Sequence, residues 1–128
     1  MKPRLTQIDS IYVPVKNRKQ SMEWFMEHFY LEEDDHNRLK IGNLEVFFLE
    51  TLDNSTATIK TKDWVSGDDH FEMPAFCFRT EGIRNLYDSL NSRGVKTESI
   101  QDHGWFSEFD FYDLDHNKFK VWEPIAKR

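Results

Sequence analysis

The chain has one cysteine, Cys77, among its 128 residues. No internal disulfide can form, and such sparing use of thiols fits a reducing compartment. No apolar run approaches the length of a membrane span, and the opening M-K-P-R-L-T lacks the apolar core of a signal peptide. These absences predict a cytoplasmic protein that does not engage a membrane. Positive charge is in deficit: 17 Lys and Arg stand against 23 Asp and Glu, a net charge of −6, which argues against a nucleic-acid partner. There is no Gly-rich phosphate loop and no nucleophile elbow. His36, His70, His103 and His116 are dispersed in polar stretches without i,i+4 or HxH spacing, so they read as solvent-exposed rather than as metal ligands. The Asp113-x-Asp115-x-Asn117 run lacks the glycine and distant glutamate of a calcium loop. Cys77 has no histidine beside it and reads as a small buried hydrophobe.

Aromatic residues, by contrast, make up 15% of the chain, enough to fill a core and still line a pocket. The length suits a single domain that needs neither metal nor disulfide to hold it. Residues 8–15 alternate, with Ile11, Val13 and Val15 on one face and Ser10, Tyr12 and Pro14 on the other, which predicts a strand ending near the proline or lying at an edge. Asn17 is a ready N-cap for a helix to about Tyr30 with Met22, Phe25, Met26 and Phe29 as its apolar face. Trp24 and His28 form a neighbouring stripe, with His28 at the helix flank, and residues 32–36 an exposed acidic turn. Arg38 to Ile41 and Leu44 to Thr51 read as a hairpin about Gly42-Asn43. Residues 52–72 are polar and aperiodic and read as a linker, in which Trp64 and Val65 could cover a cavity.

The pattern then restarts. Pro74 to Thr80 reads as a strand; Ile83, Leu86, Tyr87 and Leu90 mark a helix closed by Gly94; Val95 to Ile100 reads as a short strand. A final hairpin runs from Trp105 to Glu123, with Trp105, Phe109 and Phe111 on one face and a polar corner at 113–117 whose Asp and Asn side chains can hold the turn. Strand, helix and three strands thus occur twice. The expectation is an α+β fold of two tandem βαβββ modules, residues 6–51 and 73–124, forming a pseudo-twofold sheet with a cleft within one domain of residues 1–128. Sheet faces not covered by helices would line that cleft.

The stretches I-D-S-I-Y-V-P-V-K-N (8–17), S-M-E-W-F (21–25) and F-Y-D-L-D-H-N-K-F-K-V-W-E (111–123) give the chain a specific likeness. It resembles the vicinal-oxygen-chelate superfamily of glyoxalase I, bleomycin-resistance proteins, fosfomycin-resistance enzymes and extradiol dioxygenases. The last stretch is similar to the family pattern F-x-D-P-D-G-N-x-x-E-L-x-E, with Leu114 for Pro and His116 for Gly. Metal-dependent members of that family hold a cation with one His and one Glu from each half. Here the resemblance puts Ser10 and Ala75 at the His positions, Lys120 at the C-terminal Glu, and Glu45 as the best candidate for the first-half Glu. It therefore implies a metal-free branch, with no cofactor.

Strand parity gives an inward set of Ser10, Tyr12, Glu45, Phe47, Cys77, Arg79, Phe106, Glu108, Asp110, Lys120 and Trp122. Glu108, Asp110 and Lys120 also read as a cross-strand ion-pair cluster, and Phe47, Phe106 and Trp122 read equally as core or as a stacking wall. Tyr12 and Arg79 are the better polar contacts for a ligand. The expected function is binding of an aromatic or cationic small molecule in the cleft of a homodimer. The alternative is a metal-independent, lyase- or isomerase-like enzyme pairing Glu108 or Glu45 with Lys120 or Tyr12 as acid and base. A third reading leaves only a role in assembly.

Overall fold

The computed structural model describes residues 2–63 and 65–125; Trp64, expected to cover a cavity, lies outside the described residues. The chain divides into two compact units, Met1–Asn54 and Ser55–Arg128.

In the first unit, strand β1 (Ser10–Val15) leads through the Asn17 cap into helix α1 (Arg18–Phe29), then β2 (Leu39–Ile41) and β3 (Leu44–Glu50). The sheet order is β1-β3-β2, with β1 parallel and β2 antiparallel to β3. The βαβββ expectation calls for three strands after the helix, but among the described residues only β2 and β3 follow it in this sheet; Glu33, in the stretch read as an exposed turn, forms an isolated bridge with Leu39. Ile11, Val13, Val15, Val46 and Phe48 point to the helix and are buried with Met22 and Phe25. Phe25 meets Phe48 at 5.3 Å between ring centroids. Each such side chain stabilises the unit by roughly 1.5–3 kcal/mol. The fully buried residues of α1 are Ser21, Met22, Phe25 and His28, with Met26 and Phe29 half-buried beside them. His28 is therefore inside, with its ring 4.8 Å from that of Trp24, and not at an exposed flank.

The second unit begins with a hairpin of β4 (Thr58–Thr61) and β5 (Phe71–Pro74). Residues 52–72 are thus not a structureless linker. Asp63 staples the intervening loop: its carboxylate accepts from Val65 N–H at 3.0 Å and from the Ser66 hydroxyl at 2.8 Å. The chain bends at Ala75, whose N–H is held by the Ala57 carbonyl at 3.1 Å. The strand expected over Pro74 to Thr80 is accordingly split, and only Cys77–Arg79 forms β6.

Helix α2 (Ile83–Ser92), β7 (Gln101–Asp102), β8 (Phe106–Tyr112) and β9 (Lys118–Pro124) complete the unit in sheet order β6-β9-β8-β7. Gly94, at φ 79°, closes α2: its N–H bonds to Asn91 O and that of Val95 to Leu90 O, the paired bonds of a left-handed C-terminal stop. The strand expected over Val95 to Ile100 is reduced to a bridge, Thr97↔Phe111, with flanking backbone bonds to β8. Ser107, Phe109, Phe111, Phe119 and Val121 face inward. Trp105 precedes β8 and is 60% exposed, so it does not share the buried face of Phe109 and Phe111.

The polar corner at 113–117 is a structural device, as its composition implies. Asp113 Oδ1 accepts from Asp115 N–H and Asn117 N–H, and Asn117 Nδ2 donates to Asp113 Oδ2, all at 2.9 Å. His116 takes the left-handed φ of 62° that the family pattern gives to glycine. Burial pushes the Asp113 carboxyl above its ordinary range despite these donors. Asn117 also accepts from the Ala57 N–H at 2.6 Å, tying the β4–β5 hairpin to the β8–β9 corner.

Candidate functional site

The face of each sheet turned away from its core gathers the residues singled out by parity, in one cluster per unit. In the first unit β1 and β3 run in register with Ser10 beside Glu45 and Tyr12 beside Phe47. The rings of Tyr12 and Phe47 meet edge-on at 5.9 Å, and both are exposed, Tyr12 at 59%. Glu45 is drawn toward Arg38, just before β2; the Arg38 Nε lies 3.8 Å from its Oε1.

The second unit carries the richer cluster. Parallel pairing of β6 with β9 sets Cys77 beside Lys120 and Arg79 beside Trp122. Antiparallel pairing of β8 with β9 sets Glu108 beside Trp122 and Asp110 beside Lys120. Lys120 Nζ lies 3.2 Å from Asp110 Oδ1 and 3.5 Å from Glu108 Oε2, and Lys118 Nζ lies 3.6 Å from Asp110 Oδ2. The cross-strand ion-pair reading of Glu108, Asp110 and Lys120 is what the geometry shows. Cys77, read from sequence as buried, is exposed, because β6 is a short edge strand with no neighbour beyond it in the sheet. Partial burial pushes its thiol up, outweighing the nearby Lys120 ammonium, so it is neutral near pH 7.

Above the ion pairs lies an aromatic run. Phe106 stacks on His103 at 4.6 Å, touches Trp105 at 4.4 Å and meets Trp122 edge-on at 6.3 Å. The Arg79 guanidinium sits over the Trp122 ring, 5.7 Å from its centroid. His103 adds a polar group that sequence reasoning left in solvent: its Nε2 lies 3.4 Å from Glu108 Oε1. The cue was present as the aromatic-rich H-G-W-F run at 103–106, but loop residues have no periodicity to place them on a face. Among the described residues no three His, Cys, Asp or Glu side chains converge as a metal site would require.

Two features align the units residue by residue. Glu123, at the end of β9, accepts from the first amides of α2: Gly82 N–H at 2.7 Å and Ile83 N–H at 3.1 Å. Glu50, at the end of β3, accepts from the first amide of α1, Arg18 N–H, at 3.4 Å. The two glutamates are equivalent, and counting back three residues from each makes Phe47 the counterpart of Lys120. The β registers agree. Lys120 faces Cys77, five residues before Gly82, and Phe47 faces Tyr12, five residues before Asn17. The first-half counterpart of Lys120 is therefore Phe47, and not Glu45 as expected from sequence.

No family model matches the chain, and no curated protein does. Solved structures do. A Bacillus anthracis protein described as a glyoxalase family member superimposes with a TM-score of 0.68 at 17% identity, covering 98% of this chain and 100% of that one. An antibiotic-binding protein from a Streptomyces species gives 0.65 at 16%, covering 97% and 100%. The genomically encoded fosfomycin resistance protein of Listeria monocytogenes gives 0.63 at 16%, covering 98% and 97%. The likeness is one of fold: two helices and mixed sheets in the α+β arrangement of the glyoxalase and bleomycin-resistance proteins, as the sequence resemblance implied.

Proposed function

We propose that this chain, which carries the glyoxalase/bleomycin-resistance fold, is a metal-independent binder of an organic small molecule. The observation that carries the reading is the face of the second unit where Phe106, Trp122 and Arg79 adjoin an ion-paired floor. An aromatic wall with a few fixed polar groups is the usual make-up of a small-molecule site. The antibiotic-binding and fosfomycin-resistance neighbours, which share the fold, lend the same direction. Tyr12 and Phe47 offer a smaller patch of the same character in the first unit.

The family metal does not fit the residues present. Its positions are taken by Ser10, Phe47, Ala75 and Lys120: a hydroxyl, a phenyl ring, a methyl and an ammonium in place of two imidazoles and two carboxylates. The Lys120 ammonium is itself held by Glu108 and Asp110, so the carboxylates that could attract a cation already have one. We further propose a cytoplasmic homodimer of single-domain chains, a setting that suits an exposed unpaired thiol at Cys77.

The test joins elemental analysis to a ligand screen. Purified protein is expected to hold no stoichiometric divalent metal and to melt at the same temperature with and without chelator. A panel of aromatic compounds is expected to raise its melting temperature, and Trp122→Ala to remove the shifts. One metal per chain, or shifts untouched by Trp122→Ala, would sink the reading.

A second reading has its own observation. Glu108 stands between His103 Nε2 and Lys120 Nζ, so an imidazole with an orienting carboxylate lies beside the aromatic wall, the arrangement of a general base. Turnover lost in His103→Gln, with ligand affinity kept, would favour the enzyme over the binder.

A further inference from the structure

We infer that the ligand of the second unit's face is a planar aromatic anion whose carboxylate or comparable group is taken by Arg79; this rests on the small-molecule-binding reading above. On this sheet face the charged side chains of β8 and β9 pair with one another. Two cations of β9, Lys118 and Lys120, meet two anions of β8, Asp110 and Glu108, in pairs of 3.2–3.6 Å. These four charges cancel locally. Glu108 has a further neighbour in His103. Cys77, on the same face, contributes no charge, since its thiol is held neutral.

Arg79 is left over. Among the described residues no carboxylate lies within ion-pairing distance of it, and the Trp122 ring is what it meets. A guanidinium against an indole keeps its N–H fork free at the edges while its planar face is occupied, which leaves it oriented for a bidentate acceptor. Its position on an exposed edge strand leaves that fork accessible.

The same indole lies 6.3 Å from Phe106, with the ring planes 76° apart. Arg79 covers one face of Trp122 and His103 one face of Phe106, so a ligand ring would use the opposite face of one and present its edge to the other. The guanidinium meets the same indole at 5.7 Å, so a ring against Trp122 and an acidic group at Arg79 would belong to one compact molecule. A cationic ligand, admitted by the sequence reading, would instead place its charge against Arg79. The protein's net charge of −6 opposes approach of an anion at long range, but a charge-assisted pair acts at contact and is the stronger term there.

Three probes with one ring system separate the claims by calorimetric titration at fixed ionic strength: naphthoate, naphthamide and naphthylmethylamine. The native protein is expected to bind naphthoate about tenfold or more tightly than naphthamide, and the amine most weakly. Arg79→Gln should abolish the preference for naphthoate, so that naphthoate and naphthamide bind alike. Arg79→Lys should restore the preference only in part, because a point charge lacks the fork. Replacement of this exposed side chain leaves the core untouched, and an unchanged melting temperature verifies that. If naphthamide or the amine binds as tightly as naphthoate, or if the preference survives Arg79→Gln, the inference falls while the binding reading stands. If none of the three binds, the inference falls, and the binding reading is decided by the wider aromatic panel with Trp122→Ala.

Discussion

The two helices of this chain begin at equivalent places but are held by different means. Helix α1 carries its own cap: Asn17, extended at φ −141°, accepts from Gln20 N–H at 3.0 Å. Glu50 reaches the same helix end only at 3.4 Å. Helix α2 begins at Gly82, with φ 74° and no side chain to offer, and its first amides depend on Glu123 at 2.7 and 3.1 Å. The orphan N–H groups of a helix start must find acceptors, and the chain meets that demand locally in one unit and across the sheet in the other. The lesson is that a duplicated device can persist in both copies while the burden it carries moves. Where a local residue takes over, the long-range contact loosens; where glycine removes the local option, it tightens.

The largest expected effect follows from breaking the long-range cap. Glu123→Ala leaves the start of α2 without a side-chain acceptor and should lower stability by about 2 kcal/mol, the range for a charged hydrogen-bond acceptor at a helix start, seen as a reduced urea midpoint. Asn17→Ala should cost about 1 kcal/mol, because Glu50 remains nearby to take up part of the loss. Glu50→Ala alone should fall below roughly 0.5 kcal/mol, yet cost more in the Asn17→Ala background. Additive losses in that double-mutant cycle would show that the two acceptors do not share the task.

The smallest effect separates the units by pH. Burial, and behind it the hydrogen bond from its hydroxyl to Glu98 at 2.8 Å, push Tyr112 up to about 12 from an ordinary value of 10.0. The folded state holds this proton more firmly than the unfolded state. Stability is therefore intact below pH 10 and declines as pH rises through the window from 10 to about 12. The ring is only half-buried, so solvent screening keeps the change modest. Tyr112→Phe should flatten this part of the pH–stability curve, and a curve that keeps its slope would assign the effect elsewhere.

Much of this architecture is legible without coordinates. Alternation over β1, β3, β8 and β9 sorts core from surface correctly, since a period of two is enforced by the pleat and by one buried face. Asn17, Gly42 and Gly94 mark real boundaries, each through a specific backbone requirement. The β4–β5 hairpin escaped because its strands are four residues each, with Ile59, Phe71 and Met73 as their large apolar residues, too few for a period to show. In the candidate site, parity placed Glu108, Lys120, Trp122 and Arg79 on one face but could not choose which charges meet. That choice depends on side-chain reach across strands. His103 lay beyond parity altogether. The equivalence of Phe47 with Lys120 required the two capping glutamates, which are distant in sequence from the helices they serve.

In both units the strand made last occupies the middle of its sheet: β3 lies between β1 and β2, and β9 lies between β6 and β8. For a chain emerging from the ribosome, β1 and β2 have no strand partner before β3, and of the second unit's four-stranded sheet only β7 and β8 can pair before β9. Before β9 appears, β6 and β8 have no common partner, and the Ala57 amide has no Asn117 to meet. The first unit can close as soon as residue 50 is free, while the second must wait for its own final strand. Until β9 is free to pair, the apolar strand faces and sheet edges of the second unit stay open, the condition in which a nascent chain is most prone to aggregate.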